Sequence, residues 1–342
     1  MLSIDGATGG GQILRTALTL AAVTDTPFRI ENIRGERPEP GLGAQHLAAV
    51  DLAADLCDAT VEGAERGAES LTFEPGEERQ TSLSVAVGTA GSLTLLFDAV
   101  LPVAAVIDDP LRVTATGGTD VKWSPTMAYF RRVKLPLLAR FGLDAAVTLD
   151  RTGFYPAGGG EATLTAGPSS LSPLALDSRG TLDRVDVYSK ASESLEERDV
   201  ADRQADQATD RLTAAGFSVG EPTVEYVPAH SPGSALLVAG VYEDTVAGGD
   251  ALGEPGRTSE AVADSAVDRF LDFHDGDAAV DEHMADQVLV YLALAGGRVR
   301  IPAVTDHVET NLAVLSAFDS DLSLEREGDG AVVEASPHPS LR

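Results

Sequence analysis

The sequence is poor in the features that would indicate an exported or membrane protein. Its single cysteine, Cys57, excludes a disulfide within the chain, and a reducing compartment fits this composition. The longest apolar runs, 100–107 and 288–295, are much shorter than the roughly 20 residues that a membrane span needs. Because the N-terminus also lacks a basic stretch followed by an apolar segment, we expect no export signal and a cytoplasmic protein.

Lysine is nearly absent as well. Three lysines contribute to a total of 25 basic residues against 54 acidic ones, so the net charge is −29. A dense carboxylate surface with scarce lysine is typical of a halophilic protein that stays hydrated in concentrated salt, and it bears on solubility rather than on fold. It also disfavours broad nucleic-acid binding, since phosphate contacts need Lys or Arg. Any nucleic-acid site is therefore expected to be small and based on arginine.

A short phrase recurs three times along the chain, as 28–30, 111–113 and 299–301, each with a central arginine between apolar residues. The central arginines are 83 and then 188 residues apart, so the second interval exceeds the first by 105 residues. Around each copy the patterns predict the same order: helix, strand, helix, hairpin. The extra length predicts an inserted domain between the second and third copies.

These patterns predict an α/β (α+β) fold. Three tandem repeats would form a large domain, and one smaller α/β insert domain would lie between repeats two and three. The predicted boundaries are 1–176 for repeats one and two, 177–275 for the insert domain, and 276–342 for repeat three. A chain of 342 residues with 43% hydrophobic content is long enough for this arrangement.

Two groups of residues near the N-terminus have the chemistry of a phosphate site. The run 9–11 is three glycines that open a helix, and helix N-termini present N–H groups to anions, although a plain turn is an equally good interpretation. Arg15 follows on that helix, and Arg34 and Arg37 follow the first strand; arginine binds phosphate with two parallel hydrogen bonds. Salt bridges to the many carboxylates are the alternative for these arginines. For Gln45 and His46, which follow these arginines, the sequence leaves open whether they are structural or belong to the site.

His307 is the residue best suited to covalent chemistry. It follows the third strand, and a neutral imidazole can act as a nucleophile when its second nitrogen is fixed by a hydrogen bond. A lone histidine is more often structural. Asp286 and Gln287 add a carboxylate and an amide on the preceding helix. Because the six histidines are scattered, we do not expect a zinc site.

Several blocks together resemble the RNA 3′-terminal phosphate cyclases. They occur in the family's order and cover nearly the whole chain, with the inserted segment the least similar part. The blocks are Ile4-Asp5-Gly6, 9–15, Ile33-Arg34 with Arg37, Pro40-Gly41, Gln45-His46, 88–92, 117–120, 153–160, 281–287 and 307–311.

The resemblance implies an ATP-dependent ligase that acts on RNA bearing a 3′-phosphate and forms a 2′,3′-cyclic phosphodiester, with release of AMP and pyrophosphate. It implies His307 as the nucleophile, a covalent histidine adenylate, an RNA-(3′)pp(5′)A intermediate, and Mg²⁺ or Mn²⁺ whose ligands stay unknown. The implied nucleotide-binding residues are Asp98, Pro125, His283, Met284, Ala285, Asp286 and Gln287. The implied phosphate- or RNA-binding residues are Arg15, Arg34, Arg37, Gln45 and His46.

The chain departs from the family pattern at three places. The first glycine block lacks the usual glutamate, Ala44 replaces an arginine found in bacterial relatives, and Asp98 replaces a glutamine that contacts the nucleotide. A carboxylate at position 98 is expected to repel the phosphates of the nucleotide unless a cation lies between them. These changes leave open a catalytically inactive cyclase-like binding or assembly factor in ribosomal RNA processing, although such relatives lack the nucleophilic histidine. A remoter alternative, an enolpyruvyl-transferase-like enzyme, would rest on repeat architecture alone and would not need the block around His307. The sequence does not fix the oligomeric state.

Overall fold

Three four-stranded sheets with one strand order organise most of the protein, which we describe for residues 1–341 from a computed structural model. In the first sheet the order is β1-β2-β4-β3, where β1 and β2 are parallel and the other neighbours are antiparallel. Its elements are β1 (Leu2–Asp5), α1 (Gly11–Thr24), β2 (Phe28–Glu31), α2 (Ala44–Cys57), β3 (Thr60–Glu62) and β4 (Leu71–Glu74).

The second sheet repeats this order as β5-β6-β8-β7, again with one parallel pair. Its elements are β5 (Ser82–Ala86), α3 (Leu93–Val100), β6 (Leu111–Gly117), α4 (Met127–Tyr129), α5 (Leu135–Ala139), β7 (Ala145–Arg151) and β8 (Gly160–Ala166). A π-helical turn, Phe130–Lys134, joins α4 to α5. Such turns occur often at functional sites, and Lys134 in this one contacts the site described below.

The chain then forms one strand of the third sheet, β9 (Leu174–Leu176), before it enters a separate sheet with the order β11-β10-β12-β13. This sheet and its helices are β10 (Leu182–Ser192), α6 (Val200–Ala214), β11 (Thr223–Val227), β12 (Ser234–Tyr242), β13 (Val246–Leu252) and α7 (Ser259–Asp275). Side chains on β10, β12, α6 and α7 form an apolar cluster of their own, including Val185, Leu212, Leu236 and Phe270.

The third sheet is completed after this segment, with the order β15-β16-β14-β9. Its remaining elements are α8 (Met284–Ala295), β14 (Gly297–Ile301), α9 (Asp306–Ala317), β15 (Leu322–Glu327) and β16 (Gly330–Ala335). Helix α1 packs against α2, α3 and α9, and eleven of its fourteen residues are buried. Residues from all three sheets and their helices form one apolar core.

The prediction of a mixed α/β fold is confirmed, with differences in detail. Each unit begins with a strand that the sequence reading missed, because β1, β5 and β9 have only three to five residues and weak alternation. Helix α9 begins at Asp306, because Thr305 caps it by accepting a hydrogen bond from the Val308 N–H. This start places His307 in the first helical turn. Within residues 1–341, no helix has both the length and the apolar character to cross a membrane.

Candidate active site

His307 is held by an amide from the other end of the chain. Its Nδ1 lies 2.6 Å from Oε1 of Gln12, which stands in the first turn of α1 behind the glycine run. The Gln12 amide in turn donates from Nε2 to Oδ2 of Asp286 on α8, also at 2.6 Å. Helix α1, which is far in sequence from α8 and α9, therefore joins them through a chain of hydrogen bonds to which each helix contributes one residue.

This chain of hydrogen bonds fixes the protonation of the His307 ring. Asp286 accepts from the Gln12 NH₂ group, so the Gln12 carbonyl oxygen must face His307. A carbonyl oxygen only accepts, so Nδ1 of His307 carries the proton. In the neutral ring, Nε2 is then the nitrogen with a free lone pair, which is the tautomer that a nucleophilic imidazole requires.

A second layer of hydrogen bonds supports Asp286 and its helix. Asn311 on α9 donates to the backbone oxygen of Asp286 at 2.7 Å, and the Thr16 hydroxyl donates to Oδ1 of Asn311 at 2.8 Å. Burial raises the pKa of Asp286, while His307 and Lys134 act in the opposite direction. These contacts link α1, α8 and α9 at the level of the site.

The glycine run lies where side chains would block the site. Gly9 and Gly10 have φ values of +65° and +63°, in the left-handed region that glycine occupies without strain. A Cβ atom added at Gly11 would lie 2.3 Å from Nε2 of His46. The open backbone lets the N-terminus of α1 face the space between His46, Arg15 and Arg37, so it can present N–H groups to an anion.

The three predicted arginines are not engaged by the abundant carboxylates. Across residues 1–341, no acidic oxygen lies within 4.0 Å of a guanidinium nitrogen of Arg15, Arg34 or Arg37. Burial lowers the pKa of Arg15, and the charges of Asp98 and Asp286 act in the opposite direction. Arg34 donates to the backbone oxygen of Gly41 at 2.8 Å. The salt-bridge interpretation of these arginines is therefore wrong, and their charge is available to an anion.

His46 is neutral at physiological pH. Burial, together with the charges of Arg15 and Arg34, lowers its pKa to about 4. Its Nδ1 accepts the backbone N–H of Gly43 at 3.0 Å, so the proton of the neutral ring lies on Nε2. The side chain can therefore donate one hydrogen bond beside the glycine run. Oε1 of Gln45 accepts the backbone N–H of Ser92 at 3.2 Å, which orients its amide.

Asp98 is compensated by a buried lysine that the sequence reading did not assign. Nζ of Lys134 lies 2.5 Å from Oδ1 of Asp98 and 2.8 Å from Oε1 of Gln287. The side chain of Lys134 is only 2% exposed, and the contact with Asp98 lacks hydrogen-bond geometry, so it acts as an ion pair. The pair neutralises the carboxylate that the sequence reading expected to repel phosphate.

His307 lies between two clefts. The first cleft, of about 690 Å³, is lined on its less exposed side by Gln12, Arg15, Pro125, His283, Asp286 and Gln287. The second cleft, of about 660 Å³, is lined by the glycine loop and the start of α9, including Thr8, Gly9, Arg37, Asp306 and Thr310. Thr305 and His307 line both clefts, so the imidazole can contact ligands from two sides.

His283 in the first cleft is a cation. Burial alone would lower its pKa, but the carboxylate of Asp250 outweighs burial and raises the pKa to about 9. Nε2 of His283 lies 2.9 Å from Oδ1 of Asp250 on β13. The ring also packs edge-on against Tyr129, at 5.1 Å between centroids. This ion pair joins α8 of the third unit to the separate sheet.

The structure thus brings most of the predicted residues together. Pro125, His283, Asp286, Gln287 and His307 line the first cleft, and Arg37 lines the second. Met284 and Ala285 are buried in the core and do not line either cleft. The roles of Gln12, Lys134 and Asp250 were missed. Of these three residues, only Gln12 had a signal in the sequence: its i, i+3 spacing from Arg15 puts both residues on one face of a helix.

The donors of the chain do not assemble into a metal site. Among the residues that the structure describes, no three His, Cys, Asp or Glu side chains are grouped to hold an ion. Asp286 is engaged by Gln12, and Asp98 by Lys134. Mg²⁺ usually takes one or two carboxylates together with substrate phosphates and water, so the protein by itself does not fit a resident ion.

Comparison with known proteins gives one family. The model of a family described as RNA 3′-terminal phosphate cyclase matches residues 7–320. The RNA 3′-terminal phosphate cyclase of Halobacterium salinarum is 48% identical over 341 residues, covering 96% of this chain and 98% of that protein. The protein of the same name from Hyperthermus butylicus is 41% identical, covering 95% of this chain and 93% of that protein. The one from Ralstonia nicotianae is 40% identical, covering 97% of this chain and 96% of that protein. Among solved structures, the enolpyruvyl transferase NikO from Streptomyces tendae aligns with a TM-score of 0.39 at 13% identity, covering 99% of this chain and 49% of that chain. The NikO similarity is too low to support a functional comparison.

Proposed function

The chain belongs to the RNA 3′-terminal phosphate cyclase family, and from that membership we propose that it is an ATP-dependent enzyme that converts an RNA 3′-phosphate to a 2′,3′-cyclic phosphodiester. The observation that carries the proposal is the Asp286–Gln12–His307 hydrogen-bond chain, which leaves Nε2 of His307 with a free lone pair between two clefts. A protein that only binds RNA has no need of an imidazole prepared in this way.

In the first step, Nε2 of His307 attacks the α-phosphorus of ATP. A P–N bond forms, the bond to the bridging oxygen breaks, and pyrophosphate leaves with the electron pair. The imidazole becomes positively charged as it attacks, and its Nδ1–H is bonded to Gln12, whose amide is polarised by Asp286. Stabilising charge at the place where it develops is the main source of catalysis in such transfers.

In the later steps, an oxygen of the RNA 3′-phosphate attacks the same phosphorus. The P–N bond breaks and His307 leaves with its lone pair restored. The neighbouring 2′-OH then attacks the RNA phosphorus and AMP departs, which closes the ring. Because this last step is intramolecular, correct placement of the ribose supplies much of its rate. It also requires RNA, since DNA has no 2′-OH.

We assign Arg15 to the nucleotide side of His307 and Arg37 to the RNA side, because they line the first and the second cleft, respectively. Neutral His46 lies beside Gly11, and the charge of Arg34 acts on His46. We propose that both supply N–H donors for phosphate oxygens. We also assign five residues to the nucleotide: Asp98, Pro125, His283, Asp286 and Gln287. Asp98 does not contact the nucleotide directly; it pairs with Lys134, which in turn donates a hydrogen bond to Gln287.

Mg²⁺ or Mn²⁺ remains a prediction from the family resemblance. The chain presents no preformed group of metal ligands in residues 1–341, so an ion would have to enter with the phosphates of ATP.

We also propose the domain boundaries 1–176 for repeats one and two of the large domain, 177–275 for the insert domain, and 276–342 for the third repeat of the large domain. The shared order of three sheets and the separate apolar cluster of the insert support them. Strand β9 ends at Leu176 and pairs with β14, so the chain enters the third sheet before the insert begins. A cytoplasmic, halophilic protein stays an expectation from composition.

The activity is tested with an oligoribonucleotide that carries a 5′ label and a 3′-phosphate. Incubation with the protein, ATP and Mg²⁺ or Mn²⁺ in molar KCl should make the end resistant to phosphatase, as a cyclic phosphodiester is. The same oligonucleotide with a terminal 2′-deoxyribose should not become cyclic. A 3′-phosphate that stays sensitive to phosphatase under all salts and metals would contradict the proposal and favour the inactive binding factor.

A further inference from the structure

The exposed end of the first cleft carries a side chain for which neither the fold nor the proposed chemistry provides a reason. Trp123 is the only tryptophan of the chain, and it is 92% exposed. Tryptophan is enriched at binding interfaces, because its large ring buries much apolar surface on contact. Trp123 lines the same cleft as His307, and Lys122, Glu254 and Arg257 line it as well.

The backbone at Trp123 is held in an unfavourable conformation. Its φ is +63°, in the left-handed region that bulky residues rarely adopt. No buried contact of the indole compensates for this, since the ring is in solvent. A strained residue that persists at a cleft is a reason to look for a function of that residue.

The segment around Trp123 is fixed on both sides. Nζ of Lys122 pairs with Glu254 at 2.8 Å, and the Ser124 hydroxyl donates to the backbone oxygen of Val121 at 3.1 Å. Further along, the Thr126 N–H donates to Asp250 at 2.7 Å. The indole therefore projects from an anchored turn, so little conformational entropy would be lost when a ligand packs on it.

A cation in the same cleft, Arg257, is free of carboxylates. Arg257 donates to the backbone oxygens of Leu252 and Ala261, at 3.3 and 2.9 Å, and it also contacts the Ser265 hydroxyl. No acidic oxygen of residues 1–341 pairs with it, although the chain has 54 acidic residues. An exposed aromatic ring and an arginine in one cleft are the combination with which proteins hold a base and its phosphate.

We propose that Trp123 is a stacking platform for a nucleobase at the exposed end of the first cleft. The base comes either from the adenosine donor or from the end of the RNA. The proposal rests on the proposed function only in that both substrates carry nucleobases. Stacking on an aromatic ring tolerates any base, so the platform would add affinity without sequence preference.

Intrinsic fluorescence tests stacking on the indole directly, because Trp123 is the source of all tryptophan fluorescence of this protein. Excitation at the red edge of the indole band avoids tyrosine and nucleotide absorption. The wild type is titrated separately with AMP, with ribose 5-phosphate, with a 3′-phosphorylated oligoribonucleotide, and with the same oligonucleotide abasic at its 3′ end. None of these alone permits turnover. Quenching by AMP but not by ribose 5-phosphate assigns the donor base. Quenching by the intact but not by the abasic RNA assigns the RNA base.

Variants separate stacking from structure. Trp123→Ala should weaken binding of the quenching ligand about 5- to 100-fold, and Trp123→Phe should restore most of it. Both should leave the unfolding midpoint unchanged, since the ring is exposed. Tyr155→Ala, which removes another exposed aromatic ring that does not line the cleft, is the matched control and should bind normally.

Absence of quenching by all four ligands, or equal affinity of Trp123→Ala and wild type, would overturn the platform. This result is distinguishable from failure of the proposed function. A protein that forms the His307 adenylate without quenching has the activity and lacks the platform. A protein that quenches without forming the adenylate has the platform and lacks the activity.

Discussion

Gln12 and His307 lie 295 positions apart in the chain, and their side chains meet at 2.6 Å between Oε1 and Nδ1. The contact joins the first turn of α1 to the first turn of α9. It decides which nitrogen of the imidazole is free, and therefore whether the histidine can act as a nucleophile.

Replacing Gln12 should slow the chemical step more than it weakens ATP binding. In Gln12→Ala, the ring of His307 loses the acceptor that holds its tautomer, and a hydrogen bond of this kind contributes about 1–3 kcal/mol in the transition state. We expect adenylate formation to slow by about 5- to 150-fold, as measured by single-turnover kinetics with labelled ATP. An unchanged rate in Gln12→Ala would show that the hydrogen bond does not orient the nucleophile.

Adding one methyl group at Gly11 should disrupt the phosphate site. The new Cβ would lie 2.3 Å from Nε2 of His46, whose ring cannot swing away freely because Gly43 holds it at 3.0 Å. We expect Gly11→Ala to destabilise the fold by about 1–3 kcal/mol and to lower activity, as seen in denaturant unfolding and cyclisation assays. Gly220→Ala is the matched control, because nothing lies within 4 Å of its added Cβ. Equal behaviour of the two variants would contradict the close approach.

The buried pair Lys134–Asp98 gives a prediction about stability. Removing the cation in Lys134→Met leaves the Asp98 carboxylate without its partner, which should lower the free energy of unfolding by about 3–5 kcal/mol. The double variant Lys134→Met with Asp98→Asn should recover part of this loss, because no charge is then left unpaired. Denaturant unfolding of the two single variants and the double variant completes the cycle. Strictly additive losses would mean that the two groups do not interact.

His283 makes stability fall as pH rises above neutrality. Its folded pKa of about 9 lies above the ordinary value of 6.5, so the stabilisation is complete below pH 6.5 and is lost between about pH 6.5 and 9. At its largest this contribution is about 3 kcal/mol, from 1.36 kcal/mol per pKa unit. In His283→Gln, the unfolding free energy should lose this slope in that range. A slope that persists in the variant would assign the effect to another group.

The fold class and most of the candidate site residues could be predicted, because both predictions depend on patterns within short stretches of the sequence. Apolar periodicity predicted the repeated order of helix, strand, helix and hairpin, and the order of the family blocks identified His307 and Arg37 as site residues. The short strands β1, β5 and β9 were missed because three to five residues give too little alternation.

The pairings between distant segments could not be read from the sequence. Gln12 with His307, Lys134 with Asp98, and Asp250 with His283 each depend on how separate elements pack in the folded chain. Asp98 shows the consequence most clearly. Its charge predicted repulsion of phosphate, but the partner that neutralises it stands 36 positions away within a π-helical turn.

The most direct test of the account is the covalent adenylate on His307. The protein is incubated in molar KCl and Mg²⁺ or Mn²⁺ with ATP labelled at the α-phosphorus, and acid-labile, hydroxylamine-sensitive label is measured on wild type and on His307→Ala. The account predicts label on wild type alone, released as AMP when RNA with a 3′-phosphate is added and converted to a cyclic end. Absence of label on wild type under every metal and salt condition, or equal label on His307→Ala, would contradict it.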